Sequence, residues 1–179
     1  MTDHGWKKWE VTGLFVTLAA GNLLHFVYDW SGENPVVAAI SGVNESVWEH
    51  MKLLAVPWIF WSVVEVVVLR RSHLPVPAAR AGGLLTGLLL IPLLYYGYTG
   101  VTGSDLSLVD ILIFQLAVLA AFGISWLLLK RRWFCGMFWK LLGAVVLAGM
   151  LALFVWWTYQ TPQLPVFIDP VTQQSGIEK

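Results

Sequence analysis

Asn44-Glu45-Ser46-Val47-Trp48-Glu49-His50-Met51-Lys52 runs without a break into Leu53-Leu54-Ala55-Val56-Pro57-Trp58-Ile59-Phe60-Trp61-Ser62-Val63-Val64-Glu65-Val66-Val67-Val68-Leu69. The first part holds two carboxylates, an imidazole, an ammonium and an indole; the second is almost wholly apolar. An apolar run of that length reads as a membrane span, which needs roughly 20 residues. Ionisable groups at the mouth of such a span are costly and mark a site.

The rest of the chain agrees with that reading. Charged residues make up 12% and hydrophobic ones 58%, against roughly 25% charged in a soluble domain. Eleven tryptophans and a mean hydropathy of +0.70 point the same way. The fold class expected is all-α: a polytopic integral membrane helix bundle. Formal net charge is zero and no basic run is present, which argues against a nucleic-acid partner. Cys135 is the sole cysteine, so neither an internal disulfide nor a cysteine metal motif can form.

Five spans are predicted, over Trp9–Trp30, Asn44–Arg71, Ala78–Tyr98, Leu106–Leu129 and Trp133–Tyr159. Pro57 predicts a kink in the second. Val36–Ile40 is apolar but too short to cross, and reads as a re-entrant or interfacial segment. Lys7 and Lys8 before an apolar run resemble a signal peptide, but no small-residue cleavage site follows, so the run reads as a retained first span. Residues 1–160 therefore form one transmembrane domain and 161–179 a polar, Pro-rich tail expected to extend over the surface. Lys7, Lys8, Arg70, Arg71, Arg80, Lys130, Arg131, Arg132 and Lys140 fall on one side, and only Lys52 and Lys179 on the other. The excess of positive charge places the amino terminus in the cytoplasm and the carboxyl terminus outside. Asp29, Glu33, Glu45, Glu49, Asp105, Asp110, Asp169 and Glu178 then make the outer mouth acidic.

Asn22, His25 and Asp29 share one face of the first span, and Glu45, Glu49 and Lys52 one face of the second, with His50 about 100° round. His25 and Glu49 both lie roughly 7–8 Å below the outer boundary. If the faces meet, His25, Asp29, Glu45, Glu49 and His50 surround one cavity and form a ligand set for Zn, Mn or Fe. Asn22, Lys52, Trp48, Tyr95, Tyr98 and Asp110 are candidates for its wall and for ligand binding. Carboxylates at i, i+4 repel unless a cation intervenes, and Lys52, a protonated histidine, a metal or a cationic ligand would serve. The blander expectations are Asn44 as an N-cap, Glu49 paired with Lys52, and His25 as a buried histidine bonded to a neighbouring helix. Gln115 reads as an interhelical hydrogen bond, Glu65 as a partner of Lys140 or Arg70, and Gly82, Gly83, Gly87 and Gly143 as close-packing positions.

Three runs, Leu24–Gly32, Val43–Lys52 and Pro165–Pro170, resemble an uncharacterised family of small multi-span bacterial membrane proteins. The resemblance implies a bacterial inner-membrane protein and carries over no activity. Val171–Gly176 departs from the family's usual tail.

The leading functional expectation is an outward acidic cavity that binds a metal ion or small cationic ligand, with transport in view. A homodimer would supply the bulk that a chain this short lacks. The first alternative is a membrane-embedded metal-dependent hydrolase of a lipid or envelope substrate, with Glu49 or Glu45 as general base. The second is a structural or partner-binding subunit in which the polar cluster merely joins helices.

Overall fold

The computed structural model describes residues 5–69 and 73–177, and these form six α-helices and one 3-10 turn. α1 is Trp6–Trp30, α2 Pro35–Ala38, α3 Val47–Val68, α4 Val76–Thr102, α5 Ser107–Arg131 and α6 Met137–Tyr159, with the 3-10 turn at Pro165–Phe167. Among the described residues, the five helices other than α2 are long and apolar enough to cross a bilayer, at 22 to 27 residues each. The chain folds as a helical membrane bundle. Large apolar side chains such as Phe15, Leu89, Leu108 and Val145 face outward all round it, as contact with lipid requires.

α3 is the most enclosed span, as suits a helix that is apolar on every side. Trp58 and Leu54 of α3, Leu84 of α4 and Val118 of α5 are fully buried at the bundle's centre. α4 packs most extensively on α5 and α6, and α1 on α3. Small residues permit the closest approaches. A Cβ on Gly83 would stand 2.6 Å from the Ala121 carbonyl oxygen, and one on Gly143 2.5 Å from the Pro77 carbonyl. α3 runs unbroken through Pro57. Proline lacks the N–H that would bond the carbonyl four residues back. That carbonyl belongs to Leu53, and Gly21 of α1 sits over it, where a Cβ would come within 2.9 Å.

The connection from α1 to α3 builds the rim of the site. Gly32 (φ 69°) and Glu33 (φ 60°) turn the chain in the left-handed region. Asn34 caps α2 by accepting from the Val36 N–H, with Pro35 at the first helical position. The Val36–Ile40 segment, expected to be re-entrant or interfacial, is thus a single helical turn and its sequel. Lys52 ties it down.

Three expectations need correction. α3 begins at Val47, not Asn44, and its N-cap is Ser46, whose hydroxyl accepts from the Glu49 N–H. Asn44 is engaged otherwise: its side chain accepts from the Ser46 N–H and donates to the Gly176 carbonyl. Glu65 pairs with Arg80 rather than Lys140, because the antiparallel α3–α4 hairpin sets the end of one helix beside the start of the other. Arg70, the other partner expected, lies outside the described residues, as do Arg71, Glu178 and Lys179. The tail is folded, not merely extended. Its 3-10 turn buries Phe167 against Trp48 and Trp157, and a bridge pairs Ile168 with Ser175.

Candidate functional site: a histidine–carboxylate cluster

Glu45 sits between two imidazoles. Its Oε2 lies 3.4 Å from His25 Nε2 and 3.8 Å from His50 Nε2. One ligand atom from each of the three residues falls within 4.8 Å of the others. Each arrives from a different piece of backbone: His25 from α1, Glu45 from the loop before α3, and His50 from the first turn of α3. The rings of His25 and His50 meet edge to face, with centroids 5.5 Å apart.

His50 Nδ1 lies 3.0 Å from the Ser46 carbonyl oxygen. A carbonyl can only accept, so Nδ1 carries the proton of that bond and Nε2 presents its lone pair to Glu45. The carboxylate oxygen and the His50 nitrogen are then both electron-pair donors, and something positive belongs between them. A proton shared with His25 is one solution. The hydrogen bond from His25, with the charge of that ring, holds the Glu45 carboxyl below the usual carboxylate range.

Beside the cluster opens a cleft of about 320 Å³, lined by His25, Asp29, Glu33, Glu45 and Asp169 among others. Four carboxylates and an imidazole thus face one space. On the other side His50 looks onto a small void, about 20 Å³, shared with Tyr95 and Asp110. Tyr98 donates to Asp110 Oδ1 at 2.6 Å and accepts from the Leu106 N–H.

The structure separates the remaining predicted site residues from the cluster. Glu49 is buried, and its Oε2 is taken by Lys52 Nζ at 2.6 Å and by the Val43 N–H at 3.1 Å. Lys52 is wholly buried and spends its other two protons on the Ala38 carbonyl and the Thr158 hydroxyl. The depth argument that set Glu49 opposite His25 fails because Glu49 points inward beneath the 43–46 loop, while Glu45 reaches the histidines. Trp48 packs among Phe154, Trp157 and Phe167 under the tail, and its indole N–H has no partner. Asn22 donates to Leu18 and accepts from Gln115, an α1–α5 link at 3.3 Å.

Asp169 is the residue that sequence reasoning left without a role. It is buried, and one carboxylate oxygen accepts from the Val171 and Thr172 N–H groups. The other accepts from the Glu45 N–H at 3.1 Å. The tail therefore grips the loop that carries Glu45. The Asp-Pro pair at 169–170 is a turn signal, and it lies in one of the runs that carry the family resemblance.

A family model described as a family of unknown function (DUF6512) matches residues 2–177. The chain belongs to DUF6512. The match spans the whole bundle, the histidine cluster and the folded tail, so all of these are parts of one family unit. Comparison with curated proteins found no match, and comparison with solved structures found none either.

Proposed function

We propose that this DUF6512 member binds a divalent metal ion, or a small cation in its place, at an outward-facing site made by His25, Glu45 and His50. The observation that carries the reading is the His50 ring. Its Nδ1–H is committed to a backbone carbonyl, the arrangement that orients metal-ligating histidines. Its Nε2 then converges with a carboxylate and a second imidazole. In tetrahedral coordination, ligand bonds of about 2.0–2.2 Å put neighbouring ligand atoms roughly 3.3–3.6 Å apart. The cluster is near that spacing before any ion draws it in. Zn, Mn and Fe all suit mixed imidazole and carboxylate ligands. Asp29, Glu33 and Asp169 supply a negative approach through the cleft.

The same reading places the amino terminus in the cytoplasm, the cleft and tail outside, and the protein in a bacterial inner membrane. It leaves room for transport and for a homodimer. Three protein ligands leave a coordination position open, the pattern of catalytic rather than structural sites. That favours metal-dependent hydrolysis of an amphiphilic substrate as the second reading. Glu49, locked to Lys52, is poorly placed as its base.

Elemental analysis and zinc titration of the detergent-purified protein test the proposal. Near-stoichiometric metal is expected in the wild type. His25→Ala, His50→Ala and Glu45→Gln should each weaken binding by at least the about 10–100-fold that losing even an outer-shell partner costs. Asn22→Ala, on the α1–α5 link, should leave it unchanged. Wild-type protein that takes up no metal after supplementation, or variants that bind as well as it does, would sink the reading.

A further inference from the structure

At the opposite end of the bundle, four helices send polar side chains to a common point. Glu10 comes from α1, Glu65 from α3, Arg80 from α4 and Ser125 from α5, and none is more than 2% exposed. Arg80 Nη1 lies 3.3 Å from Glu10 Oε1, and its Nε 3.4 Å from Glu65 Oε2. That Nε also donates to the Ser62 hydroxyl. Glu10 Oε1 accepts the Ser125 hydroxyl at 2.8 Å, and Glu65 Oε1 the Trp61 indole N–H at 3.3 Å. The guanidinium lies 3.7 Å from the centroid of the Trp58 ring and 4.6 Å from that of Phe122.

Two carboxylates against one guanidinium leave a surplus negative charge. Among the described residues, Arg80 is the one cation within ion-pair distance of either carboxylate. The other groups that meet them, Ser125 and Trp61, are neutral donors. A buried charge without a counterion is strongly disfavoured, and more so at membrane depth. A second observation points the same way. Glu10 Oε2, Glu65 Oε2 and Arg80 Nη2 are buried and receive or donate no hydrogen bond. Three orphaned polar atoms in one cluster call for an occupant.

We propose that this cluster is a binding site for one proton, held by the Glu10–Glu65 pair around Arg80. The proton comes from water at the amino-terminal end of the bundle and returns there on release. Protonation of one carboxylate cancels the surplus charge and turns one orphaned oxygen from acceptor into donor. Glu10 also lines a groove of about 190 Å³ with Leu14 of α1 and Phe122 and Trp126 of α5. The inference is independent of the histidine cluster at the other end.

Infrared spectroscopy of the purified full chain, labelled with isotopic carbon in its glutamate carboxyls, reads the proton directly. A protonated carboxyl has a carbonyl stretch well apart from the carboxylate bands. At neutral pH the wild type should show a glutamic-acid band, and both Glu10→Gln and Glu65→Gln should abolish it. In each variant the remaining carboxylate is left to pair with Arg80 alone, so the fold is retained. A wild type without the band overturns the proposal and requires no variant. A band that survives either substitution overturns it as well, since the proton would then sit elsewhere.

Discussion

Lys52 makes three bonds with three protons, and each ends on a different element: Glu49 of α3, the Ala38 carbonyl of α2 and the Thr158 hydroxyl of α6. Removing one partner of a buried ion pair strands the other charge and costs about 3–5 kcal/mol. Lys52→Met should therefore lower the unfolding temperature in detergent sharply. Lys52→Met combined with Glu49→Leu should recover most of the loss, because the double change leaves no orphaned charge. The Glu49–Lys52 pair was legible from its i, i+3 spacing. That Glu45 and not Glu49 would meet the histidines was not, because it depends on a cap two residues from the expected one. Glu45 also sets a pH signature. Its carboxyl titrates below the usual carboxylate range, so whatever its contact with His25 adds to stability is complete above that range. The contribution disappears only as pH falls through the lowered value. Metal must compete with protons for the imidazoles, so zinc affinity should fall in a step as the solution is acidified. Zinc titrations across pH should show that step, and no second one at the ordinary glutamate value of ~4.3.

At the scale of elements, the helices were readable and their joints less so. Five apolar runs near bilayer length predicted five spans, because hydropathy alone decides that question. The tail was opaque because polar, Pro-rich sequence carries no periodicity from which to read a docking geometry. Only the structure joins Asp169 to the Glu45 N–H and Gly176 to Asn44, across 124 and 132 residues. Asp169→Ala leaves the part-buried Glu45, Val171 and Thr172 N–H groups without their acceptor, a loss of about 0.5–1.5 kcal/mol for each hydrogen bond. The tail of that variant should be cut by protease faster than in the wild type. Its zinc affinity should fall although no ligand has changed. Equal protease sensitivity would mean that the clamp contributes nothing.

The molecule as a whole has two polar knots, one at each end, with an apolar centre between them. The histidine cluster and the Glu49–Lys52 pair occupy one end, and Glu10, Glu65 and Arg80 the other. The acidic mouth was legible from where the carboxylates fell relative to the spans. The Glu10–Glu65–Arg80 knot was not: Arg80 counted as a flanking positive charge, whereas it is enclosed between Trp58 and Phe122. Topology can be tested through the chain's sole cysteine. Cys135 lies in the α5–α6 connection, at the same end as the amino terminus. A membrane-impermeant maleimide should leave it unlabelled in intact cells and label it once the membrane is opened. Labelling in intact cells would invert the orientation.

The grip of Asp169 on the Glu45 amide sets an order of events during synthesis. His25, Glu45 and His50 leave the ribosome well before their clamp, which lies 124 residues beyond Glu45. A nascent chain with only its first two spans inserted carries every ligand of the cluster, but on a loop that nothing yet holds. The cluster is held only after Asp169 has been made, so a product truncated before it would carry His25, Glu45 and His50 with their loop unclamped.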